Sequence, residues 1–266
     1  MTNLTKAGEV LLSATGLRKR YGGVVAVDDV TVEVRAGEVL GLVGPNGAGK
    51  TTLVDLITGA QVSDAGTIRV GDRTLPAGAA ARAASGLART FQHPQLAMDL
   101  SVRDNIALGF IAARHRSVAA LIGGAVHGVI QPRHRADDEL VARLAAEVHL
   151  SDLDRLAGDL TLGEQRLVEV ARALGADPRV LLLDEPFAGA DGSGVGGISE
   201  VIAILKRRDH GVILVDHNVD LVAGLADRVL LLDLGRVVFE GSPRDCMQSQ
   251  EMQQVYFGTA TAKAPA

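Results

Sequence analysis

The residues with the clearest chemical potential form a short glycine-rich segment. It reads Gly44-Pro45-Asn46-Gly47-Ala48-Gly49-Lys50-Thr51 and is followed by Thr52, so it matches G-x-x-x-x-G-K-[ST] at every fixed position. Glycines let such a backbone curl until successive N–H groups face a β-phosphate, at the positive end of the following helix. Lys50 is placed to bridge the β- and γ-phosphates, and the Thr51 hydroxyl to ligate Mg²⁺. A structural glycine-rich turn is the alternative. Because the motif directly follows an apolar run, we predict nucleotide binding by residues 44–52.

Two adjacent carboxylates end a second apolar run. Residues 181–183 are all leucine, and Asp184 and Glu185 follow them directly. A buried strand has no structural need for two acids at its carboxyl end, which is where α/β proteins place their ligands. We expect Asp184 to hold Mg²⁺, directly or through water, and Glu185 to polarise the attacking water as general base. An acidic strand end is common by itself, and it is the glycine-rich motif upstream that favours catalysis.

These motifs need a parallel sheet to bring them together. Continuous apolar runs at residues 39–43, 180–183 and 212–215 are typical of strands buried on both faces. Helical patterns at residues 165–174 and 199–208 separate such runs and predict an α/β fold with a parallel core sheet. Alternating or β-branched patterns predict an antiparallel layer at residues 10–12, 30–34 and 67–70, and a final hairpin of residues 229–232 and 237–239.

Residues 94–165 differ because they show helix periodicity at residues 101–110 and 136–148 and no convincing strand. We predict a helical lobe here, inserted into a single domain whose core is residues 10–93 and 166–258. The Gly- and Ala-rich stretch 117–131, between basic residues at 114–116 and 133–135, is predicted to be a loop or short helix. A membrane-surface role for its basic flanks is an alternative. The low-complexity residues 259–266 are predicted to be a disordered tail.

Composition excludes several classes of protein. Lys and Arg number 27 against 32 Asp and Glu, so the net charge of −5 argues against a nucleic-acid partner. The single Cys246 allows no internal disulfide and fits a reducing compartment. Residues 1–6 do not resemble a signal peptide. The longest apolar stretch, residues 118–130, is interrupted by glycines and is shorter than the roughly 18 residues of a membrane span. We therefore expect a soluble chain that reaches a membrane only through a partner.

Taken together, the motifs resemble an ABC ATPase domain extending from residue 10 to residue 258. The resemblance rests on the glycine-rich segment, on Asp184-Glu185-Pro186 and on Leu160-Thr161-Leu162-Gly163-Glu164-Gln165, in the family's order. The last segment stands where that family carries its LSGGQ signature, which reaches the γ-phosphate of ATP held by the opposite subunit. The resemblance implies that Thr161, Gly163 and Glu164 contact nucleotide across a dimer. Leu162 departs from the pattern at its first glycine. Taken alone, the segment is also a capped helix start.

The resemblance also implies roles for single residues. Gln92, which ends the Q-loop (residues 89–92, Arg-Thr-Phe-Gln), would touch Mg²⁺ and the attacking water and sense a transmembrane partner. His217 would be the switch histidine that contacts the γ-phosphate. Asp191, which ends the D-loop (residues 188–191), would face the other subunit. Tyr21 resembles the aromatic residue that stacks on adenine, and a surface tyrosine is the alternative.

The same resemblance implies ATP and Mg²⁺ as ligands and a nucleotide sandwich between two ATPase subunits, either two copies or a copy and a sister chain. Transmembrane permease subunits would be direct partners, and a solute-binding protein an indirect one. The chain would be cytoplasmic, held on the inner face of the cell membrane by the permeases. Substrate specificity would lie in those partners.

Three classes of ABC protein are compatible with the sequence. Residues 86–92, the long insertion and the ending Val255-Tyr256-Phe257-Gly258 resemble importers of branched-chain amino acids. Residues 184–189 and 216–219 look like the lipopolysaccharide-export branch, although Arg89-Thr90-Phe91 does not. A soluble ABC ATPase of the iron–sulfur assembly type is the third interpretation. We predict a transport ATPase and, within that class, an importer of branched-chain or related amino acids.

Overall fold

The computed structural model describes residues 8–92, 94–114 and 135–257. Within these ranges the strands are β1 (Val10–Tyr21), β2 (Val24–Arg35), β3 (Val39–Val43), β4 (Ala65–Val70), β5 (Arg73–Thr74), β6 (Leu87–Arg89), β7 (Val180–Asp184), β8 (Gly211–Val215), β9 (Arg228–Asp233) and β10 (Arg236–Gly241). The helices are α1 (Lys50–Thr58), α2 (Ala79–Ala83), α3 (Val102–Arg114), α4 (Arg135–Glu147), α5 (Leu162–Leu174), α6 (Gly192–Arg207), α7 (Val219–Leu225), α8 (Pro243–Gln248) and α9 (Gln250–Phe257).

The strands form two sheets. The larger has the order β10-β9-β3-β8-β7-β6, and every neighbouring pair in it is parallel except β10 with β9. The smaller, of order β2-β1-β4-β5, is antiparallel. The predicted fold class, a parallel core sheet with an antiparallel layer, is therefore confirmed.

Each face of the large sheet is covered, which explains its continuous apolar strands. All five residues of β3, β7 and β8 are buried. Because successive side chains of a strand point to opposite faces, Leu182 and Ile213 pack in one apolar cluster with β1, β2 and α1. Their neighbours Leu181 and Leu214 pack in the other cluster, with α3, α5 and α6. The carboxyl ends of β3, β7 and β8 consequently lie side by side and carry the three loops of the site.

Helices α3, α4 and α5 pack against one another, and α3 and α4 fall between β6 and β7 in the chain. The predicted helical patterns at residues 101–110 and 136–148 are found in α3 and α4. The predicted boundary between residues 165 and 166 falls inside α5, and the division into core and lobe stays a prediction.

Some elements begin earlier than predicted. Helix α6 starts at Gly192, seven residues before the pattern at 199, because Asp191 caps it by accepting a hydrogen bond from the Gly194 N–H. Its glycine-rich first turns carry no apolar periodicity. The short strands β5 and β6 were not predicted. The predictions for residues 115–134 and 258–266 lie outside the described residues. In the described part of the chain, no helix is long and apolar enough to cross a membrane.

Candidate active site

The glycine-rich segment connects β3 to α1, as its motif predicts. The ammonium of Lys50 is buried and donates to the carbonyls of Gly44 at 2.6 Å and Pro45 at 3.0 Å. Burial lowers the pKa of Lys50, and the carboxylates of Glu185, Asp184 and Asp216 act in the opposite direction. A cation is thus held inside a loop whose following helix directs backbone N–H groups toward the same place.

Asp184 is the last residue of β7 and is buried. Its Oδ2 accepts from Arg89 Nη2 at 2.6 Å, and Arg89 Nη1 donates to Asp55 Oδ1 on α1 at 2.7 Å. This guanidinium neutralises part of the negative charge beside the expected Mg²⁺ ligand. The role of Arg89 was not predicted, because neither of its partners is near it in sequence.

Three predicted catalytic residues from distant parts of the chain meet at one carboxylate. Gln92 Nε2 donates to Glu185 Oε2 at 2.7 Å. His217 Nδ1 lies 3.9 Å from the same oxygen and 3.5 Å from Asp216 Oδ1. Glu185 itself has a φ of 48°, an uncommon value for a residue with a side chain, and its N–H is held by the Val215 carbonyl at 2.8 Å.

A cavity of about 260 Å³ lies beside this carboxylate. Its lining includes Thr51, Gln92, Asp184 and Glu185, which offer hydroxyl, amide and carboxylate oxygens. Such oxygens are the ligands that Mg²⁺ takes from proteins, with phosphate and water completing its octahedron. The residues present therefore fit Mg²⁺ held by Asp184 and Thr51.

The signature segment begins α5 with a complete capping box. Thr161 Oγ1 accepts from the Glu164 N–H at 3.3 Å, and Glu164 Oε2 accepts from the Thr161 N–H at 2.8 Å. A Cβ on Gly163 would lie 3.0 Å from Gly194 Cα, so the first turns of α5 and α6 are in close contact. Leu162 is 37% exposed. A helix start is thus present as predicted, and contact of Thr161, Gly163 and Glu164 with a second subunit's nucleotide stays a prediction.

Asp191 and Tyr21 both have partners within the chain. Asp191 caps α6, and its hydrogen bonds from the Gly194 N–H and from Ser193 lower its pKa. Tyr21 ends β1, is 44% exposed and donates its hydroxyl proton to Gln61. Lys19 Nζ lies 5.5 Å from the tyrosine ring centroid. Neither the intersubunit role of Asp191 nor the adenine contact of Tyr21 is tested by these contacts.

Comparisons with known proteins agree with this geometry. Residues 27–188 match the model of the ABC transporter family. The chain belongs to the ABC transporter family. Its membership identifies it as an ATP-binding subunit with the family's activity, the hydrolysis of ATP with Mg²⁺.

Similar proteins cover nearly the whole chain. A probable ABC transporter ATP-binding protein of Azorhizobium caulinodans is 38% identical over 93% of this chain and 83% of the relative. The branched-chain amino acid ATP-binding protein LivG of Escherichia coli is 33% identical over 94% of this chain and 98% of its own. The lipopolysaccharide-export protein LptB of the same organism is 36% identical over 93% and 97%. The ADP conformation of MJ1267, an ATP-binding cassette, has a TM-score of 0.80 at 27% identity and covers 94% of this chain and 99% of its own.

In this ABC ATPase two buried charged residues of α5 connect the Q-loop to the D-loop, and they were not predicted from the sequence. Arg166 of α5 donates to the carbonyls of Gln92 at 2.7 Å and Ala188 at 3.1 Å, so it joins the Q-loop to the D-loop. Glu169, one turn later, accepts from the N–H groups of Phe91 at 3.3 Å and Gln95 at 3.4 Å. Burial raises the pKa of Glu169, and those two hydrogen bonds act against it. Charged residues spaced i, i+3 on the buried side of an apolar helix were the available signal.

A second cavity, of about 460 Å³, lies between β6 and helices α2, α3 and α5. Its lining is mostly apolar and includes Phe91 and Leu108, which are 43% and 42% exposed. Arg89 and Phe91 line this groove and also the cavity beside Glu185. The Arg89 guanidinium lies 5.1 Å from the Phe91 ring centroid. The two cavities therefore share one wall, which is the Q-loop.

Proposed function

We propose that this chain hydrolyses ATP in a two-subunit sandwich and thereby drives import of branched-chain or related amino acids, from the cytoplasmic face of the membrane. The observation that supports ATP hydrolysis is the convergence of Gln92 and His217 on Glu185, beside Asp184 and the buried Lys50. A base, a residue that orients it and a metal ligand thereby line one pocket, and the buried cation of Lys50 lies near enough to interact with both carboxylates.

The roles of the residues follow from their chemistry. Lys50 exchanges its carbonyl partners for β- and γ-phosphate oxygens, and Thr51 and Asp184 would hold Mg²⁺, which would supply positive charge to the phosphates. Glu185 accepts a proton from water while the water oxygen bonds to the γ-phosphorus and the bond to the β–γ bridging oxygen breaks. Gln92 fixes the orientation of the Glu185 carboxylate, and His217 lies within reach of the γ-phosphate side. The other residues of the loop, from Gly44 to Thr52, cradle the phosphates with backbone N–H groups.

The second subunit completes this site. Thr161, Gly163 and Glu164 lie in the first turn of a helix whose N-terminal N–H groups suit a γ-phosphate, and Thr161 and Leu162 are exposed at that helix end. In the proposed sandwich they bind the partner's ATP, with Asp191 at the same interface and Tyr21 on the adenine. Because each site needs both chains, ATP binding closes the dimer and hydrolysis releases it.

The permease is proposed to dock in the apolar groove of about 460 Å³. A short helix from a membrane subunit suits this groove because Phe91 and Leu108 expose apolar surface in it. Since Phe91 is adjacent to Gln92, displacement of the Q-loop by the docked helix reaches the Glu185 carboxylate directly. This provides the link between transport and hydrolysis.

Amino-acid import is favoured over lipopolysaccharide export by the Q-loop, where Arg89-Thr90-Phe91 resembles the importers. Overall identity does not decide between them, since the LivG relative is 33% identical and the LptB relatives are 36% and 38% identical. Lipopolysaccharide export is the second candidate because residues 184–189 and 216–219 look like that branch. A soluble iron–sulfur assembly ATPase is the third.

The test uses the Glu185→Gln variant, trapped with ATP and Mg²⁺ in native membranes and purified with its partners. Two multi-span permeases, with or without a sister ATPase, support the transporter. ATP-dependent uptake of labelled leucine by vesicles containing that complex supports import. Release of lipopolysaccharide instead identifies the export system, and recovery of soluble scaffold proteins alone excludes transport. The Lys50→Ala variant is the control for nucleotide dependence.

A further inference from the structure

The C-terminal helix reaches the phosphate-binding loop. Tyr256, on α9, accepts a hydrogen bond at 3.0 Å from the backbone N–H of Gly44, the first residue of that loop. The two residues are 212 positions apart in the chain. Helix α9 packs on α8 and β10, and Tyr256 packs against the buried apolar cluster beneath them. The contact therefore belongs to an ordered helix.

Gly44 is held from several sides. It is buried, and a Cβ at this position would lie 2.2 Å from the carbonyl oxygen of Leu232 on β9. Its own carbonyl accepts from Lys50 at 2.6 Å. The N–H of Gly44 therefore bonds Tyr256 on α9, and the carbonyl of Gly44 bonds Lys50. Gly44 thus connects Tyr256 to the lysine of the motif through its two peptide groups. A buried N–H needs a partner, and the Tyr256 hydroxyl is that partner.

We propose that Tyr256 is a positioning residue of the nucleotide site: its hydroxyl fixes the first peptide of the phosphate-binding loop, and thereby the geometry from which Lys50 and the loop N–H groups bind phosphate. The inference rests on the proposed assignment of residues 44–52 to the nucleotide. Tyr256 itself does not touch the nucleotide. Burial raises the pKa of the phenol, which keeps the hydroxyl neutral over the working range of pH.

The test is Tyr256→Phe, which removes one oxygen atom and keeps the ring. Without the hydroxyl the Gly44 N–H has no partner, and the loop becomes less ordered. We expect the dissociation constant of Mg-ADP, measured by titration calorimetry on the full chain, to rise about threefold to tenfold, the usual net effect of one hydrogen bond. The KM for ATP should rise by a similar factor, because the same peptide positions the loop for the triphosphate. Hydrogen exchange of the peptide containing Gly44 should become faster.

The matched control is Ser249→Ala. Ser249 lies at the other end of α9, where its hydroxyl accepts from the Met252 N–H at 3.0 Å, so this variant also removes one hydroxyl and weakens the same helix. It should bind Mg-ADP as wild type does. An equal loss of affinity in Ser249→Ala would assign the effect to helix stability and overturn the proposal. Unchanged affinity and exchange in Tyr256→Phe would also overturn it.

A failure of the nucleotide site itself gives a different result. Lys50→Ala should lose Mg-ADP binding, and if it binds as wild type does, the assignment of residues 44–52 is wrong and the role of Tyr256 falls with it. If Lys50→Ala loses Mg-ADP binding while Tyr256→Phe binds Mg-ADP as wild type does, only the role of Tyr256 is overturned.

Discussion

Replacing Arg166 with methionine removes the guanidinium that joins the Q-loop to the D-loop while keeping a long apolar side chain in α5. The residue is 4% exposed, and it donates to the carbonyls of Gln92 at 2.7 Å and Ala188 at 3.1 Å. A third contact, to the Phe91 carbonyl at 3.4 Å, is long. The variant therefore loses two good hydrogen bonds from a charged donor.

Each hydrogen bond with a charged partner contributes about 1.5–3 kcal/mol. The loss is smaller than the sum, because Gln92 is exposed and its carbonyl can bond water instead, and because the buried cation no longer has to be desolvated. We expect the free energy of unfolding to fall by about 2 kcal/mol. If the same energy holds Gln92 against Glu185 during turnover, kcat falls about 30-fold. Affinity for Mg-ADP should change little, since Arg166 does not contact the phosphate-binding loop.

Urea unfolding, steady-state ATPase activity and Mg-ADP titration of the purified chain measure these three quantities. Arg166→Lys keeps the charge but lacks the planar fork that reaches two carbonyls, so its kcat should lie between those of wild type and Arg166→Met. Arg172→Met is the matched control: it removes a second arginine of α5, half-buried, which donates to the Gln95 carbonyl rather than to that of Gln92. A kcat of Arg166→Met within twofold of wild type, despite lower stability, would refute the positioning role.

Three further predictions concern single residues. Glu185→Gln should bind ATP, hydrolyse it slowly and accumulate as a dimer in gel filtration; wild-type turnover would remove Glu185 from the role of base. Thr161→Ala loses the N-cap of α5 and should cost about 1 kcal/mol in urea unfolding, whereas Thr161→Ser should cost much less; equal losses would contradict the capping role. Burial raises the folded-state pKa of Glu169 above 4.5, so the folded state favours the protonated carboxyl. The stability that this carboxyl contributes is complete below pH 4.5 and is lost as pH rises through the folded pKa. Glu169→Gln does not titrate, and its stability relative to wild type, measured by urea unfolding, should therefore increase between pH 4.5 and pH 8; parallel pH profiles would exclude this.

The buried strands were predictable because a parallel sheet covered on both faces demands continuous apolar runs. Strands β3, β7 and β8 were found where residues 39–43, 180–183 and 212–215 predicted them. Strand β6 was missed because it has only three residues, Leu87–Arg89, and pairs with β7 far away in the chain. The start of α6 was missed because a capping aspartate, rather than apolar periodicity, defines it.

The site was predictable as a set of loops and much less as a set of contacts. Glycine spacing and an acidic strand end identify Lys50, Asp184 and Glu185 because those positions carry their chemistry in the local sequence. The pairing of Arg89 with Asp184 joins residues 95 positions apart, and the bond from Arg166 to Gln92 spans 74. The local sequence does not specify such a partner, since an arginine can donate hydrogen bonds to any carbonyl or carboxylate that the fold brings near it.

The buried arginine and glutamate of α5 also limit how the loops can move. Arg166 holds the carbonyl side of the Q-loop and Glu169 holds its N–H side, so both polar faces of that backbone are fixed to one rigid helix. The same helix begins with the capped signature segment, and Arg166 also holds Ala188 of the D-loop. A displacement of the Q-loop from the groove must therefore either break hydrogen bonds in a buried site, at a cost of several kcal/mol, or move α5 with it. We infer that the second outcome is favoured. Occupancy of the groove and the position of the signature helix are then coupled, and by linkage the coupling acts equally in both directions.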